Sequence, residues 1–125
     1  MSRQAVASPE IPPPIGPFSH AVSAGGFVFL SGQVALDPQT GALVEGDVAT
    51  QTERVLKNVG AVLRAAGKSF SDVVKTSVFL TDMKDFPVMN AVYGRHFEAP
   101  QPARTTVAVA ALPLGAAVEI DVVAR

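Results

Sequence analysis

The sequence predicts a single α+β domain over residues 1–125, in which a mixed sheet carries two helices on one of its faces. Strand-like segments lie at both ends of the chain, and two amphipathic segments lie between them. The hydrophobic content of 48% and the mean hydropathy of +0.31 are high for so short a chain. Because a small domain has little interior, this apolar surplus favours an oligomer that buries the uncovered sheet face.

The first elements are an extended lead-in and two strands. Residues 1–14 end in a proline-rich run, and proline fixes φ and lacks a backbone donor, so an extended segment is expected. Residues 18–21 and 27–31 have strand composition, and Gly25 and Gly26 between them supply a turn. Asp37, Pro38 and Gly41 predict a second turn.

Two helices and a long strand form the middle of the chain. Asp47 is a good N-cap for a first helix, and Gly67 is placed to end it. Its apolar stripe comprises Val48, Val55, Leu56, Val59, Val62, Leu63 and Ala66. Gly60 within this helix suggests close packing against a neighbour. Residues 72–80 predict a strand, and a second helix begins near Asp85 with Pro87 in its first turn.

The last two predicted strands, residues 104–110 and 117–124, are separated by a turn at residues 112–115, which predicts a hairpin. Alternation in the final strand places Val118, Ile120 and Val122 on one face. Glu119 therefore lies on the other face, with Asp121 and Val123.

Composition excludes several classes of function. Ten basic and eleven acidic residues leave a formal charge of −1, which argues against a nucleic-acid-binding protein. A basic row at helical spacing is better explained as a solvated helix face; it comprises Arg54, Lys57, Arg64 and Lys68. The absence of cysteine excludes thiolate catalysis and disulfides. No apolar run suits a signal peptide or a membrane span, so we expect a cytoplasmic protein without a membrane partner.

Two charged residues in apolar strands are candidates for chemistry. Arg104 opens a strand of small residues, where its fork could bind a ligand carboxylate or form a structural salt bridge. Glu119 either pairs with a cation, has a catalytic role or lies on an exposed strand face. His20 and His96 are far apart in sequence, so a metal site is not indicated. Catalysis would depend on these charges, hydroxyls, backbone groups and water, without a cofactor.

Ordered motifs across almost the whole chain resemble the reactive intermediate deaminase (RidA, or YjgF) family. The segments that carry the resemblance are Ile-Gly-Pro-Phe-Ser at 15–19, Phe-Val-Phe-Leu-Ser-Gly-Gln at 27–33, Asp-Pro-Gln-Thr-Gly at 37–41, Val-Phe-Leu-Thr-Asp-Met at 78–83, Asn90 with Tyr93, Pro-Ala-Arg-Thr-Thr at 102–106, and Val-Glu-Ile at 118–120. Each motif is weak alone, whereas their ordered set is specific.

The resemblance implies a fold like that of the trimeric chorismate mutases, a homotrimer whose sheets form a central barrel with ligand clefts between subunits. It also implies hydrolysis of 2-imino and enamine acids to 2-keto acids and ammonia. Arg104 would then bind the substrate carboxylate, Glu119 would position water and move protons, and the Thr106 carbonyl would assist. The remaining substrate contacts implied are Phe18, Ser31, Gly32 and Asn90.

One departure leaves alternatives open. Many deaminating members have Tyr where this chain has Phe18, so the substrate could be a specialised one of aminoacrylate or aminomuconate type. His20 would share the face of Phe18 in a strand and could replace the lost polar group. A trimer that binds small carboxylates without turnover is a second interpretation. Some members are described as endoribonucleases, an activity that the balanced charge here does not favour.

Overall fold

The structure, a computed structural model, describes residues 2–125 and contains one six-stranded sheet. The strand order is β1-β2-β3-β6-β4-β5. The strands are β1 Gln4–Val6, β2 Ala21–Ala24, β3 Phe27–Leu30, β4 Val73–Leu80, β5 Ala103–Ala108 and β6 Val118–Ala124. All neighbours are antiparallel except β4 and β5, which are parallel. The predicted α+β class with a mixed sheet is confirmed.

Two helices pack on one face of this sheet, α1 Val48–Ala65 and α2 Phe86–Tyr93. Asp47 caps α1 by accepting a 2.9 Å hydrogen bond from the Thr50 amide. Gly67 follows the helix with φ of +74°, a conformation that favours glycine. A Cβ at Gly60 would lie 3.1 Å from the Phe70 ring, so this glycine permits the close packing that its position suggested.

The core lies between the helices and the alternating inward residues of β4 and β6. Val118, Ile120 and Val122 are buried as predicted, whereas Glu119, Asp121 and Val123 are only partly buried on the other face. That second face carries Phe29 and Val107, which are 44% and 41% exposed. No helix within residues 2–125 covers it, and we call it the open face.

The predicted hairpin of the last two strands is wrong. β4 lies between β5 and β6, pairing in parallel with β5 and antiparallel with β6. The chain passes from β4 through α2 into β5, so these elements form a β-α-β unit that makes the two strands parallel. Residues 109–117 then cross the end of β4, where the Val109 amide donates to the Leu80 carbonyl and the Thr81 amide donates to the Ala117 carbonyl.

The start of the first predicted strand is also wrong. β2 begins at Ala21, so Phe18 and His20 precede the strand and do not share a strand face. The lead-in is more structured than predicted, because residues 4–6 form β1 and pair with β2. His20 joins the two segments: its Nδ1 accepts from the Ser8 amide at 3.0 Å, and its Nε2 donates to the Pro12 carbonyl at 2.9 Å. In the described part of the chain, neither helix has the length and apolarity to cross a membrane.

Candidate functional site

Arg104 lies on β5 and points toward α2. Its register partner on β4 is Thr76, which is fully buried beneath the helices, so both side chains occupy the helix-covered face. Arg104 lines a cavity of about 370 Å³. The residues lining that cavity are Asn90, Tyr93, Gly94, Gln101, Pro102 and Arg104.

The guanidinium of Arg104 packs against two aromatic rings of α2. Its central carbon lies 4.7 Å from the Tyr93 ring centroid and 5.6 Å from that of Phe86. The salt bridges found within residues 2–125 join Arg64 to Glu10 and His96 to Glu53, so Arg104 has no carboxylate partner there. The structural salt bridge that the sequence left open for Arg104 is therefore absent from the described chain.

Two polar atoms near Arg104 are buried without hydrogen-bond partners among residues 2–125. They are Oδ1 of Asn90, which lines the same cavity, and Oγ1 of Thr106, two residues along β5 on the same strand face. Leaving a buried polar atom unpaired costs about 1–3 kcal/mol. A ligand or a second chain would remove this cost. We call Asn90, Tyr93, Arg104 and Thr106 the arginine half-site.

Glu119 lies on the opposite side of the sheet. Its register partner on β4 is Phe79, and its half-buried carboxyl faces the open face without a cation partner among the described residues. Burial raises the pKa of the Glu119 carboxyl, and the negative charge of Asp121 raises it further. A carboxyl with a raised pKa is suited to exchange protons near neutral pH.

Gly32 provides the space that the Glu119 carboxyl occupies. A Cβ at position 32 would lie 2.5 Å from Oε2 of Glu119, closer than real contacts allow. Reciprocal backbone hydrogen bonds of 2.9 and 3.1 Å between Gln33 and Ile120 fix this approach. Ser31 donates its hydroxyl to the Ser19 carbonyl at 2.7 Å and so ties in the segment that carries the half-exposed Phe18. We call Phe18, Ser31, Gly32 and Glu119 the acidic half-site.

One chain does not bring the two half-sites together. Thr76 and Phe79, the register partners of Arg104 and Glu119, are three residues apart on β4 and so face opposite sides of the sheet. The residues predicted from the sequence thus divide into two sets on two surfaces. Neither histidine belongs to either set: both ring nitrogens of His20 bond to the lead-in, and Nε2 of His96 lies 3.1 Å from Glu53.

The sequence did not reveal the aromatic surroundings of Arg104. Tyr93 stood out in the sequence only as part of a motif shared with the RidA family, and Phe86 was given no role. Phe86, Asn90 and Tyr93 follow the spacing i, i+4 and i+7, which places all three on one side of a helix. That spacing was visible in the sequence, but its relation to Arg104 depends on the β4–β5 register.

Comparison with known proteins identifies the family. The family model described as Endoribonuclease L-PSP matches residues 9–125. This chain belongs to that family. It is 53% identical to Protein DfrA of Myxococcus xanthus, over 99% of this chain and 96% of that one. It is 45% identical to mouse 2-iminobutanoate/2-iminopropanoate deaminase, over 98% and 90% of the two chains. The crystal structure of E. coli TdcF with bound serine matches with a TM-score of 0.90 at 39% identity, covering 97% of each chain.

These matches confirm the RidA (YjgF) resemblance carried by the motifs and the α+β fold predicted from the order of strand-like and helical segments. The family description refers to ribonuclease activity, whereas the mouse relative is named for the deamination of small imino acids. The two half-sites offer a guanidinium without a carboxylate partner in the described chain and a carboxyl with a raised pKa.

Proposed function

We propose that this protein hydrolyses 2-imino and enamine acids to 2-keto acids and ammonia. The observation that carries the proposal is the guanidinium of Arg104, which borders a cavity without a carboxylate partner in the described chain. A guanidinium fork binds a carboxylate through two parallel hydrogen bonds. The mouse relative named as a 2-iminobutanoate/2-iminopropanoate deaminase supports a substrate of this class.

We propose further that the complete site forms between subunits of a homotrimer. The open face of one sheet, with its exposed Phe29 and Val107, is the surface expected to pack into a central barrel with the helices outside. Such packing would bring the arginine half-site of one subunit against the acidic half-site of its neighbour and create three equivalent sites. Separation of the half-sites on opposite faces supports this arrangement.

The proposed chemistry needs only positioning and proton transfer. Arg104 holds the carboxylate, and ionised Glu119 takes a proton from a water molecule as its oxygen attacks C2 of the imine. The C=N π electrons move to the nitrogen, which takes up a proton from solvent, and a carbinolamine forms. Glu119 then gives the proton it took to the amino nitrogen, and the C2–N bond breaks as the carbinolamine hydroxyl loses its proton to solvent, which gives the C2=O of the 2-keto acid and ammonia. An enamine enters the same scheme after protonation at C3 converts it to the imine. The Thr106 carbonyl assists by holding the water or the imine nitrogen, while Asn90, Ser31 and Gly32 line the cleft. This scheme uses no cofactor, and we place the activity in the cytoplasm.

A coupled assay tests this proposal. An amino-acid oxidase generates the imine in the presence of semicarbazide, which traps whatever is not hydrolysed. We expect this protein to accelerate keto-acid formation and to reduce the trapped imine, and Arg104→Ala to lower kcat/KM by about 100-fold or more through loss of the carboxylate contact. Arg64→Ala is the matched control, because that exposed arginine bonds only to Glu10 in the described chain.

Phe18 bears on which imino acid is the substrate, because it lacks the hydroxyl of the tyrosine that is common in deaminating members. If small 2-imino acids are not substrates but Phe18→Tyr acts on them, the native substrate is a specialised one of aminoacrylate or aminomuconate type. If carboxylates bind and no variant turns over any imine, the protein is a carboxylate-binding trimer. RNA cleavage that disappears in Arg104→Ala would instead establish the ribonuclease activity in the family description.

A further inference from the structure

The arginine half-site holds its guanidinium with a buried aromatic ring. Tyr93 lies beneath Arg104, with its ring centroid 4.7 Å from the guanidinium carbon. The Tyr93 ring also packs against the Phe97 ring, whose centroid is 4.6 Å away. A 2.8 Å hydrogen bond joins the Tyr93 hydroxyl to Oγ1 of Thr76. Tyr93 is 5% exposed and Thr76 is fully buried, so little solvent competes for that bond.

The same two strands determine where the ring and the guanidinium lie. Thr76 and Arg104 are register partners on β4 and β5, so the residue that anchors the Tyr93 hydroxyl is beside the residue that the ring supports. Phe86 precedes Tyr93 by about two turns of α2, and its ring centroid lies 5.6 Å from the guanidinium carbon. Thr76, Tyr93 and Arg104 therefore form a connected chain of contacts: hydroxyl to hydroxyl, then ring to guanidinium.

We propose that Tyr93, anchored by Thr76, is a positioning residue that orients Arg104 for a substrate carboxylate. The inference rests on the proposed function and gives Tyr93, which lines the cavity beside Arg104, a role that acts through the guanidinium. An arginine side chain has many rotamers, and the entropy lost on ordering it opposes binding. Packing against the Tyr93 ring limits those rotamers before the ligand arrives, and no carboxylate among residues 2–125 competes with the ligand for the guanidinium.

Carboxylate affinity and the split between KM and kcat test this inference. Tyr93→Leu removes the ring, and we expect it to raise KM and the Kd of 2-oxobutanoate, measured by calorimetry, by about tenfold, with kcat changed by less than about threefold. Thr76→Val removes only the anchoring hydroxyl and should raise KM and Kd by about threefold. Thr76→Ser keeps a hydroxyl and should leave KM and Kd at their native values. A merely structural role would lower the melting temperature and the active fraction without moving Kd.

Arg104→Ala is measured beside these variants so that the two proposals can fail separately. If Arg104→Ala retains carboxylate affinity, the proposed role of Arg104 is wrong. If Arg104→Ala loses affinity while folded Tyr93→Leu and Thr76→Val keep the native Kd and KM, only the positioning role of Tyr93 is overturned. Should Tyr93→Leu fail to fold, Thr76→Val decides, because it keeps the ring and removes its anchor.

Discussion

The two half-sites differ in how firmly their charged groups are held. On the helix-covered face, Arg104 packs against two aromatic rings of α2. Two buried polar atoms without a hydrogen-bond partner in the described chain lie nearby. Glu119 projects from the open face, and its carboxyl occupies space that is available only because glycine at position 32 has no Cβ. The contrast suits a division of labour in which a fixed cation binds the substrate and a less constrained carboxyl moves water and protons.

Under the proposed function, each half-site needs the other. A carboxylate anchor without a base binds an imino acid but does not hydrolyse it faster, and a base without an anchor has no oriented substrate. Because the sheet separates Arg104 and Glu119 within one chain, the division of labour is also a division between subunits in the proposed trimer.

The largest expected effect is the loss of activity when Arg104 or Glu119 is replaced in every subunit, and its partial return when the two variants are mixed in one oligomer. Arg104→Ala and Glu119→Gln should each lower kcat/KM by about 100-fold or more when present in every subunit. Co-expression of the two variants with different tags yields mixed oligomers. In a mixed trimer purified through both tags, one site in three combines both native halves, whichever variant is present twice, so activity should return to about one third of the native level.

Two observations control this experiment. Oligomers that contain either variant alone, purified in the same way, should stay inactive, which excludes activity from contaminating native protein. If the mixed oligomers form but show no more activity than the single variants, Arg104 and Glu119 do not act in one site formed by two subunits. Activity equal to the native level would contradict a single restored site in each mixed trimer.

Gly32→Ala is a smaller perturbation directed at the acidic half-site alone. The added methyl group would overlap the flexible carboxyl of Glu119, which can move aside, so we expect the protein to fold with kcat lowered by roughly tenfold or more. The Kd of 2-oxobutanoate should change less, because Arg104 is undisturbed. Gly60→Ala is the control: its Cβ meets Phe70, which packs against the core, and it should alter the melting temperature without altering kcat. A native kcat in Gly32→Ala would show that the position of Glu119 is not critical.

The sequence predicts local features of this fold better than the partners of its strands. The apolar stripe, Asp47 and Gly67 defined α1 because helix periodicity and capping depend on nearby residues. Alternation in β6 likewise placed Glu119 on the correct face. Alternation does not identify a strand's neighbour, however, and the hairpin between the last two strands was predicted although β4 lies between them.

The candidate site was predictable residue by residue but not in its arrangement. Arg104 and Glu119 stand out because charged residues in apolar strands are costly unless they have a partner or a role. Their separation onto two faces depends on which β4 residues they oppose, which is a long-range property. Tyr93 was missed as a support for Arg104 for the same reason, since the contact joins α2 to β5.

The smallest expected effect concerns Asp121, which shares the open face with Glu119. Burial is the larger cause of the raised pKa of Glu119, and repulsion from Asp121 adds to it. If ionised Glu119 accepts the proton from water, activity falls as pH drops through this pKa. Asp121→Asn removes the like charge, lowers the pKa of Glu119 and should move the acid limb of kcat/KM to lower pH, with little change in rate at neutral pH. Because burial remains, the acid limb should stay at a higher pH than the pKa range of an ordinary glutamate.

Glu45→Gln, which removes an exposed charge, should leave the pH profile unchanged. An acid limb that stays in place in Asp121→Asn, or moves to higher pH, would show that the titrating group is not Glu119, and the half-site on the open face would then lose its catalytic role.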